Sequence, residues 1–148
     1  MTANPQSDAP RRVRRKLSIT PAFYQIDMMG VVHNSQYFLW FEQGRLQVMT
    51  DVLSFEEAVE RGVAMPVIEN VCLYKKPARY GDALVLHTTH SIQSRYEGRL
   101  VFLHSLVHAT QKVEIASGRT VTTVVDFRTN QLIRDWPEDL WRKYQALE

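Results

Sequence analysis

After Gly62 the sequence changes to a pattern in which apolar and polar side chains alternate. Successive side chains of a β-strand point to opposite faces of a sheet, so such alternation predicts strands. Four runs have this pattern, at residues 65–74, 83–93, 99–109 and 119–128. Turn residues separate them, and the predicted breaks are Gly81-Asp82, Glu97-Gly98 and Ser117-Gly118. Strands joined by such short turns predict a largely antiparallel sheet.

A long helix is predicted before these strands, over residues 35–53. This stretch has no Pro, and its apolar residues cover most of the helix surface, so more than one side must be buried. Asn34 or Ser35 is the predicted N-cap. Gly44 predicts close contact with a strand, because Gly otherwise costs about 1 kcal/mol in a helix interior. The fold class is therefore α+β, with an antiparallel sheet wrapped around a long central helix.

Shorter elements complete the predicted domain. Residues 16–24 predict an edge or bulged strand interrupted by Pro21, and residues 25–35 predict a loop. Ser54 and Glu57 form a capping box that starts a second helix, which ends near Gly62. Pro137 starts a short terminal helix. We expect one domain over residues 13–148, preceded by a flexible basic arm at residues 1–12.

Composition excludes several classes of protein. A net charge of +2 in 148 residues is too small to predict a nucleic-acid partner. No signal-peptide core and no apolar stretch of about 18 residues is present, so we expect a cytoplasmic protein without a membrane span. The single cysteine, Cys72, excludes an intramolecular disulfide. We expect no metal site, because spacing separates the histidines of the predicted strands, His87, His90, His104 and His108.

The most informative segment leads into the long helix. Residues 24–37 read Tyr-Gln-Ile-Asp-Met-Met-Gly-Val-Val-His-Asn-Ser-Gln-Tyr, and residues 38–45 continue Phe-Leu-Trp-Phe-Glu-Gln-Gly-Arg. This segment resembles the signature of the 4-hydroxybenzoyl-CoA thioesterase family, hotdog-fold enzymes that hydrolyse acyl-CoA thioesters. Residues 74–82, Tyr-Lys-Lys-Pro-Ala-Arg-Tyr-Gly-Asp, resemble the second-strand exit and turn of the same family. Gln25 and the pair His33-Asn34 depart from its common pattern, which leaves the substrate open.

The resemblance implies a single hotdog domain that acts as an acyl-CoA thioesterase. It implies no metal and no cofactor, with coenzyme A entering only as part of the substrate. Members of the family form homo-oligomers, either dimers or homotetramers built as dimers of dimers, with active sites at the subunit boundary. By resemblance, the catalytic groups are Asp27 and the backbone N–H of Asn34, and the substrate-binding residues are Gly30, Val32, His33 and Tyr37.

Elementary chemistry is consistent with these roles. Gly30 allows the loop to turn back, so that the Asp27 carboxylate lies near the start of the long helix. A helix start has unpaired N–H groups and about half a positive charge, which stabilise the oxyanion formed in acyl transfer. Asp27 can act either as the nucleophile or as the base that activates water, and the sequence leaves both open.

Other interpretations also stay open. The acyl group can be delivered on an acyl-carrier protein, or the chain can be a non-catalytic acyl-binding module whose basic run, residues 11–16, binds an anionic partner. Tyr37 and Trp40 either line an acyl pocket or belong to the core. Four cations either contact the phosphates of CoA or form a solvated rim: Lys75, Lys76, Arg79 and Arg95. The identity of the acyl group does not follow from residue spacing.

Overall fold

The computed structural model describes residues 11–92, 96 and 98–147. Five longer strands and one long helix form most of the chain. In chain order the elements are β1 (Arg11–Ile19), a 3₁₀ turn (Phe23–Gln25), α1 (Gln36–Thr50), α2 (Phe55–Arg61), β2 (Val63–Ala64), β3 (Val67–Tyr74), β4 (Leu84–Ile92), β5 (Arg99–His108), β6 (Glu114–Thr123), β7 (Val125–Asp126), β8 (Gln131–Leu132) and α3 (Glu138–Gln145).

The main sheet has the strand order β1-β4-β5-β6-β3, and every neighbouring pair is antiparallel. A small second sheet, β2-β7-β8, lies beside α2. Helix α1 packs against the main sheet and contacts β1, β3, β4 and β5. The predicted α+β class, with an antiparallel sheet around a long helix, is confirmed.

Two glycines allow α1 to lie unusually close to the sheet. A Cβ atom on Gly44 would lie 2.3 Å from the Thr88 hydroxyl oxygen, which confirms the predicted contact between this helical glycine and a strand. On the sheet side, a Cβ atom on Gly118 would lie 2.2 Å from the Phe41 ring. Real Cβ contacts essentially never approach within 3.0 Å, so any larger residue at either position would push the helix away.

Gly118 also explains why one predicted turn is wrong. The sequence predicted a turn at Ser117-Gly118, but both residues lie inside β6, where Gly118 pairs with His104 and Cys72. The actual turn between β5 and β6 lies at residues 109–113, and Lys112 adopts a left-handed conformation there with φ 57°. Gly118 is required for the approach of Phe41 rather than for a turn, and this need has no signature in a single sequence.

The first strand also begins earlier than the sequence predicted. It spans Arg11–Ile19 instead of residues 16–24, and it pairs with β4 from Arg11, opposite Ile92, to Ile19, opposite Leu84. Two residues assigned to the flexible arm, Arg11 and Arg12, therefore belong to the sheet, while residues 1–10 lie outside the described part. Residues 11–16 read as a basic run, but they alternate as a strand does: Val13 is buried, and its neighbours Arg12 and Arg14 are exposed.

The short helices follow the predicted signals. The Ser54 side chain accepts a hydrogen bond of 3.1 Å from the Glu57 N–H at the start of α2, and Gly62 ends that helix in a left-handed conformation with φ 71°. Leu140 and Tyr144 of α3 are buried against the core, as predicted from the apolar side of the terminal helix. None of the helices in the described residues is long and apolar enough to cross a membrane.

Two of the buried histidines, His90 and His104, make the stability of the sheet core depend on pH. His104 stacks on Phe41 with ring centroids 4.4 Å apart, and its ring nitrogens lie 3.0 Å from the Thr88 hydroxyl and 3.2 Å from the Thr120 hydroxyl. His90 stacks on Phe102 and bonds the Val101 carbonyl at 2.7 Å. Burial lowers the pKa of each histidine from 6.5 to about 4, so both are neutral at neutral pH.

We expect acid to destabilise the fold before its carboxylates titrate. Each histidine has a folded pKa below its unfolded pKa, so the unfolded state binds more protons between pH 6.5 and 4 and the free energy of unfolding falls as pH falls. The free energy of unfolding measured with urea should be lower at pH 5 than at pH 7.5, by about 2 kcal/mol per histidine. In the variant His104→Gln, the free energy of unfolding should change less with pH, because the contribution of His104 is lost. An unchanged pH dependence in this variant would contradict the role given to His104.

Candidate functional site

The loop before α1 is built around Asp27. Its Oδ1 atom accepts hydrogen bonds from the N–H groups of Met29, at 2.8 Å, and Val31, at 3.4 Å. The Asp27 N–H donates to the Val31 carbonyl at 2.8 Å, and Gly30 makes the turn possible with φ 77°. One carboxylate oxygen therefore shapes the loop, while Oδ2 has no hydrogen-bond partner within residues 11–92, 96 and 98–147.

His33 accepts two hydrogen bonds just before α1. Its carbonyl accepts from the Gln36 N–H at 3.0 Å, and its Nδ1 atom accepts from the Ser35 N–H at 3.2 Å. Ser35 directly precedes the helix, as predicted, but its own hydroxyl bonds His33 Nδ1 at 2.8 Å instead of capping a helix N–H. The backbone N–H of Asn34 forms no hydrogen bond with any described residue. A free donor therefore stands at the electropositive end of α1.

Contacts with neighbouring elements fix this segment in place. The Val32 N–H donates to the Ala78 carbonyl, and the His33 N–H donates to the Gln25 carbonyl, both at 2.8 Å. From the end of β3, the Tyr74 hydroxyl donates to the Asn34 carbonyl at 2.9 Å. The loop is thus tied to both the preceding 3₁₀ turn and the strand that lies beside it.

A surface groove of about 380 Å³ brings the loop and the helix start together. Asp27 and Asn34 both line it, and its opposite wall is the end of β3 and the turn that follows, residues 74–77. Two predicted substrate-binding residues, Val32 and Tyr37, also line the groove. Asp27 and Asn34 therefore share one groove, and a carboxylate and a backbone donor are groups that acyl-transfer chemistry uses.

The remaining predicted residues lie outside the groove lining. Gly30 is exposed at the loop tip, and the exposed His33 side chain is hydrogen-bonded to Ser35. Trp40 is buried in the core, with 3% of its surface exposed. Arg95 lies outside the described residues. The substrate-binding roles of Gly30, Val32, His33 and Tyr37 stay predictions, as do the catalytic roles of Asp27 and Asn34.

Sequence reasoning missed the part that Tyr74 plays at the site. Its ring contacts the Tyr37 ring edge-on, with the ring centroids 4.9 Å apart. Tyr37 in turn packs on Trp40, with their ring centroids 5.3 Å apart. Burial, together with the neighbouring Cys72 and Tyr37, raises the pKa of Tyr74 to about 12, so its hydroxyl stays protonated at neutral pH. The signal that could have found it is its place at the head of the Tyr-Lys-Lys-Pro run.

The described residues contain no group of three or more His, Cys, Asp or Glu side chains that could hold a metal ion. Cys72 is partly buried on β3, and burial raises the pKa of its thiol. A raised pKa disfavours the thiolate, which is the nucleophilic form of cysteine. Asp27 and the Asn34 N–H remain the predicted catalytic groups of the groove.

Comparisons with known proteins agree with this fold. The thioesterase-like superfamily matches residues 21–143. A Bacillus subtilis protein with the provisional name acyl-CoA thioesterase YneP is 34% identical over 74 residues, which cover 49% of this chain and 54% of that protein. The chain thus spans about half the length of this curated relative.

Solved structures give the architecture over nearly the whole chain. A hypothetical protein of Thermus thermophilus matches with a TM-score of 0.76 and 27% identity, covering 90% of this chain and 98% of that one. The 1,4-dihydroxy-2-naphthoyl-CoA thioesterase of Synechocystis matches with a TM-score of 0.78 at 17% identity, covering 90% and 97%. The second likeness is evidence for the hotdog fold alone. With the superfamily match extending over most of its length, the chain belongs to the thioesterase-like superfamily.

Proposed function

We propose that this protein hydrolyses an acyl-CoA thioester to a free acid and coenzyme A. The observation that carries the proposal is the groove in which Asp27 and Asn34 meet at the start of α1. Asp27 and Asn34 both line this groove, so we propose that a thioester bound there meets the Asn34 N–H at its carbonyl oxygen and the Asp27 carboxylate at its carbonyl carbon. The provisional name of the Bacillus subtilis relative, acyl-CoA thioesterase, supports this reaction.

Two routes fit the groove. In the first, water adds to the carbonyl carbon as Asp27 accepts its proton, the C–S bond breaks, and the thiolate leaves with that proton. In the second, Asp27 itself bonds to the carbon and expels the thiolate, and water then hydrolyses the mixed anhydride. In both, negative charge develops on the carbonyl oxygen, where the Asn34 N–H and the α1 dipole stabilise it.

The cations on the groove wall suit the phosphates of coenzyme A. The Lys75 ammonium pairs with the Glu114 carboxylate, so its charge is already neutralised. Lys76 lines the groove, is exposed, and has no ion pair among the described residues. Arg79 is exposed in the turn that follows. We assign Lys76 the nearest contact with a phosphate group.

The resemblance of residues 24–45 supports a place within the 4-hydroxybenzoyl-CoA thioesterase family and, with it, a homo-oligomer. Within the described part of the chain, strand β3 has no neighbour on one edge of the sheet, and its apolar side chains are exposed on both faces, including Ile68, Val71 and Leu73. Unpaired apolar edges of this kind tend to bind another strand. A second copy joined at β3 would lie beside the groove wall, which ends the same strand. Both a dimer and a dimer of dimers are compatible with this edge.

The direct test is turnover of a panel of thioesters. We expect the purified protein to release free thiol from at least one of a set of aromatic, short and long acyl-CoAs, measured with a thiol-reactive chromophore. The same acyl groups presented on an acyl-carrier protein form the comparison. Faster hydrolysis of the carrier-bound substrates would reassign the donor, and hydrolysis of neither set would overturn the proposal in favour of an acyl-binding module.

A pair of variants separates the chemistry of Asp27 from its role in the loop. In Asp27→Asn the side-chain oxygen still accepts from the Met29 and Val31 N–H groups, so stability should stay near that of the wild type. Its turnover should fall at least about 100-fold, because an amide is neither base nor nucleophile. Asp27→Ala also loses the turn bonds and should unfold more easily, by about 1 kcal/mol.

Urea unfolding and kcat measured on the same preparations give both quantities. Full turnover in a stable Asp27→Asn protein would show that Asp27 only stabilises the loop and takes no part in the mechanism.

A further inference from the structure

The hydroxyl of Tyr74 joins the sheet to the loop residue Asn34, which lies two residues before α1. It lies at the end of β3, forty residues from Asn34 in sequence, and donates to the Asn34 carbonyl at 2.9 Å. The hydrogen bond spans the groove wall and the helix start, which are the two surfaces between which the thioester is proposed to bind. Nothing in the proposed chemistry yet requires this bond.

Its partner is a peptide group that is held from both sides. In the peptide that joins residues 34 and 35, Tyr74 holds the C=O, and the N–H donates to His33 Nδ1 at 3.2 Å. In the preceding peptide, the C=O of His33 accepts from the Gln36 N–H at 3.0 Å. Only the Asn34 N–H of these four polar groups has no partner among the described residues. Fixing the other three leaves this N–H little freedom to rotate, because a peptide group is planar.

The Tyr74 ring is itself held in place. It packs edge-on against Tyr37, which is buried with 3% of its surface exposed. The hydroxyl remains a donor throughout the neutral and mildly alkaline range, because burial raises the pKa of Tyr74 to about 12. Although 48% of the Tyr74 surface is exposed, the contact is insensitive to pH where enzymes are usually assayed.

We infer that Tyr74 is a positioning residue, which together with His33 clamps the 34–35 peptide and so aims the Asn34 N–H at the developing oxyanion. The inference rests on the proposed thioesterase function. Donors that are preorganised stabilise the transition state more than the ground state, so loss of the clamp should lower kcat and leave KM nearly unchanged.

Tyr74→Phe is the sharpest variant, because it removes the hydroxyl and keeps the ring contact with Tyr37. We expect kcat to fall about 10-fold or more, with KM within about 2-fold of wild type, since loss of a whole oxyanion donor costs about 100-fold or more. The shape of the pH profile between pH 6 and 10 should not change. Tyr80→Phe is the matched control: Tyr80 is exposed, contacts Phe23 and lies outside the groove lining, so its variant should keep wild-type kcat.

His33 provides a second, independent variant if Tyr74→Phe folds poorly. His33→Ala removes the acceptor for the Ser35 N–H and should lower kcat in the same way. His33→Asn should restore most of the loss, because an Asn side chain readily accepts from the backbone N–H two residues on. The double variant Tyr74→Phe with His33→Ala should lose less than the sum of the two single effects, as expected when both act on one peptide group.

The outcomes distinguish this inference from the function on which it rests. Absence of turnover in the wild type would overturn both. Turnover that requires Asp27 but is unchanged in Tyr74→Phe, or that falls together with the free energy of unfolding, would overturn the positioning role alone.

Discussion

Close contact between α1 and the curved sheet is the constraint on which the rest of the structure depends. Phe41 of the helix lies against Gly118 of β6, and Gly44 of the helix lies against Thr88 of β4. At both points a single methyl group would collide with its neighbour. Because these contacts set the height of the helix above the sheet, they also set where the start of α1 meets the end of β3. The groove is a consequence of that packing.

At the groove, the start of α1 provides a backbone N–H, unpaired among the described residues, near Asp27. Most polar groups just before α1 are paired: His33 Nδ1 accepts from the Ser35 N–H, and the Tyr74 hydroxyl donates to the Asn34 carbonyl. The Asn34 N–H is left over, and Asp27 lies in the same groove with one oxygen bound by the loop and one free. A donor and a carboxylate held in this way need little reorganisation when charge develops on a substrate, which is the usual source of catalysis in acyl transfer.

The sequence predicted those features that depend on periodicity and local capping. The long helix, the short helix capped by Ser54 and the strand β4 follow from spacing within one segment. The predictions from sequence were wrong where packing between distant segments determines the structure. In the sequence Gly118 resembles a turn residue, yet its lack of a side chain makes room for Phe41, which is distant in sequence. The basic run concealed β1 because charged residues occupy the exposed face of an edge strand.

The site shows the same division. The motif around Asp27 located the loop and the helix start, and the structure places both in one groove. Tyr74 could not be assigned a role from sequence, because its hydrogen bond joins segments forty residues apart. The hydrogen bond from the Ser35 N–H to His33 could not be predicted either, because an exposed loop histidine has no distinctive spacing. Roles that depend on where two distant elements meet are visible only in three dimensions.

The account is tested most directly by a crystal structure of Asp27→Asn with an acyl-CoA ketone analogue, in which CH₂ replaces the thioester sulfur. The analogue carbonyl oxygen should lie about 3 Å from the Asn34 nitrogen, with the side chain at position 27 within reach of the carbonyl carbon. A carbonyl bound outside the groove, or facing away from the start of α1 in every subunit of the assembly, would contradict the proposed hydrolase.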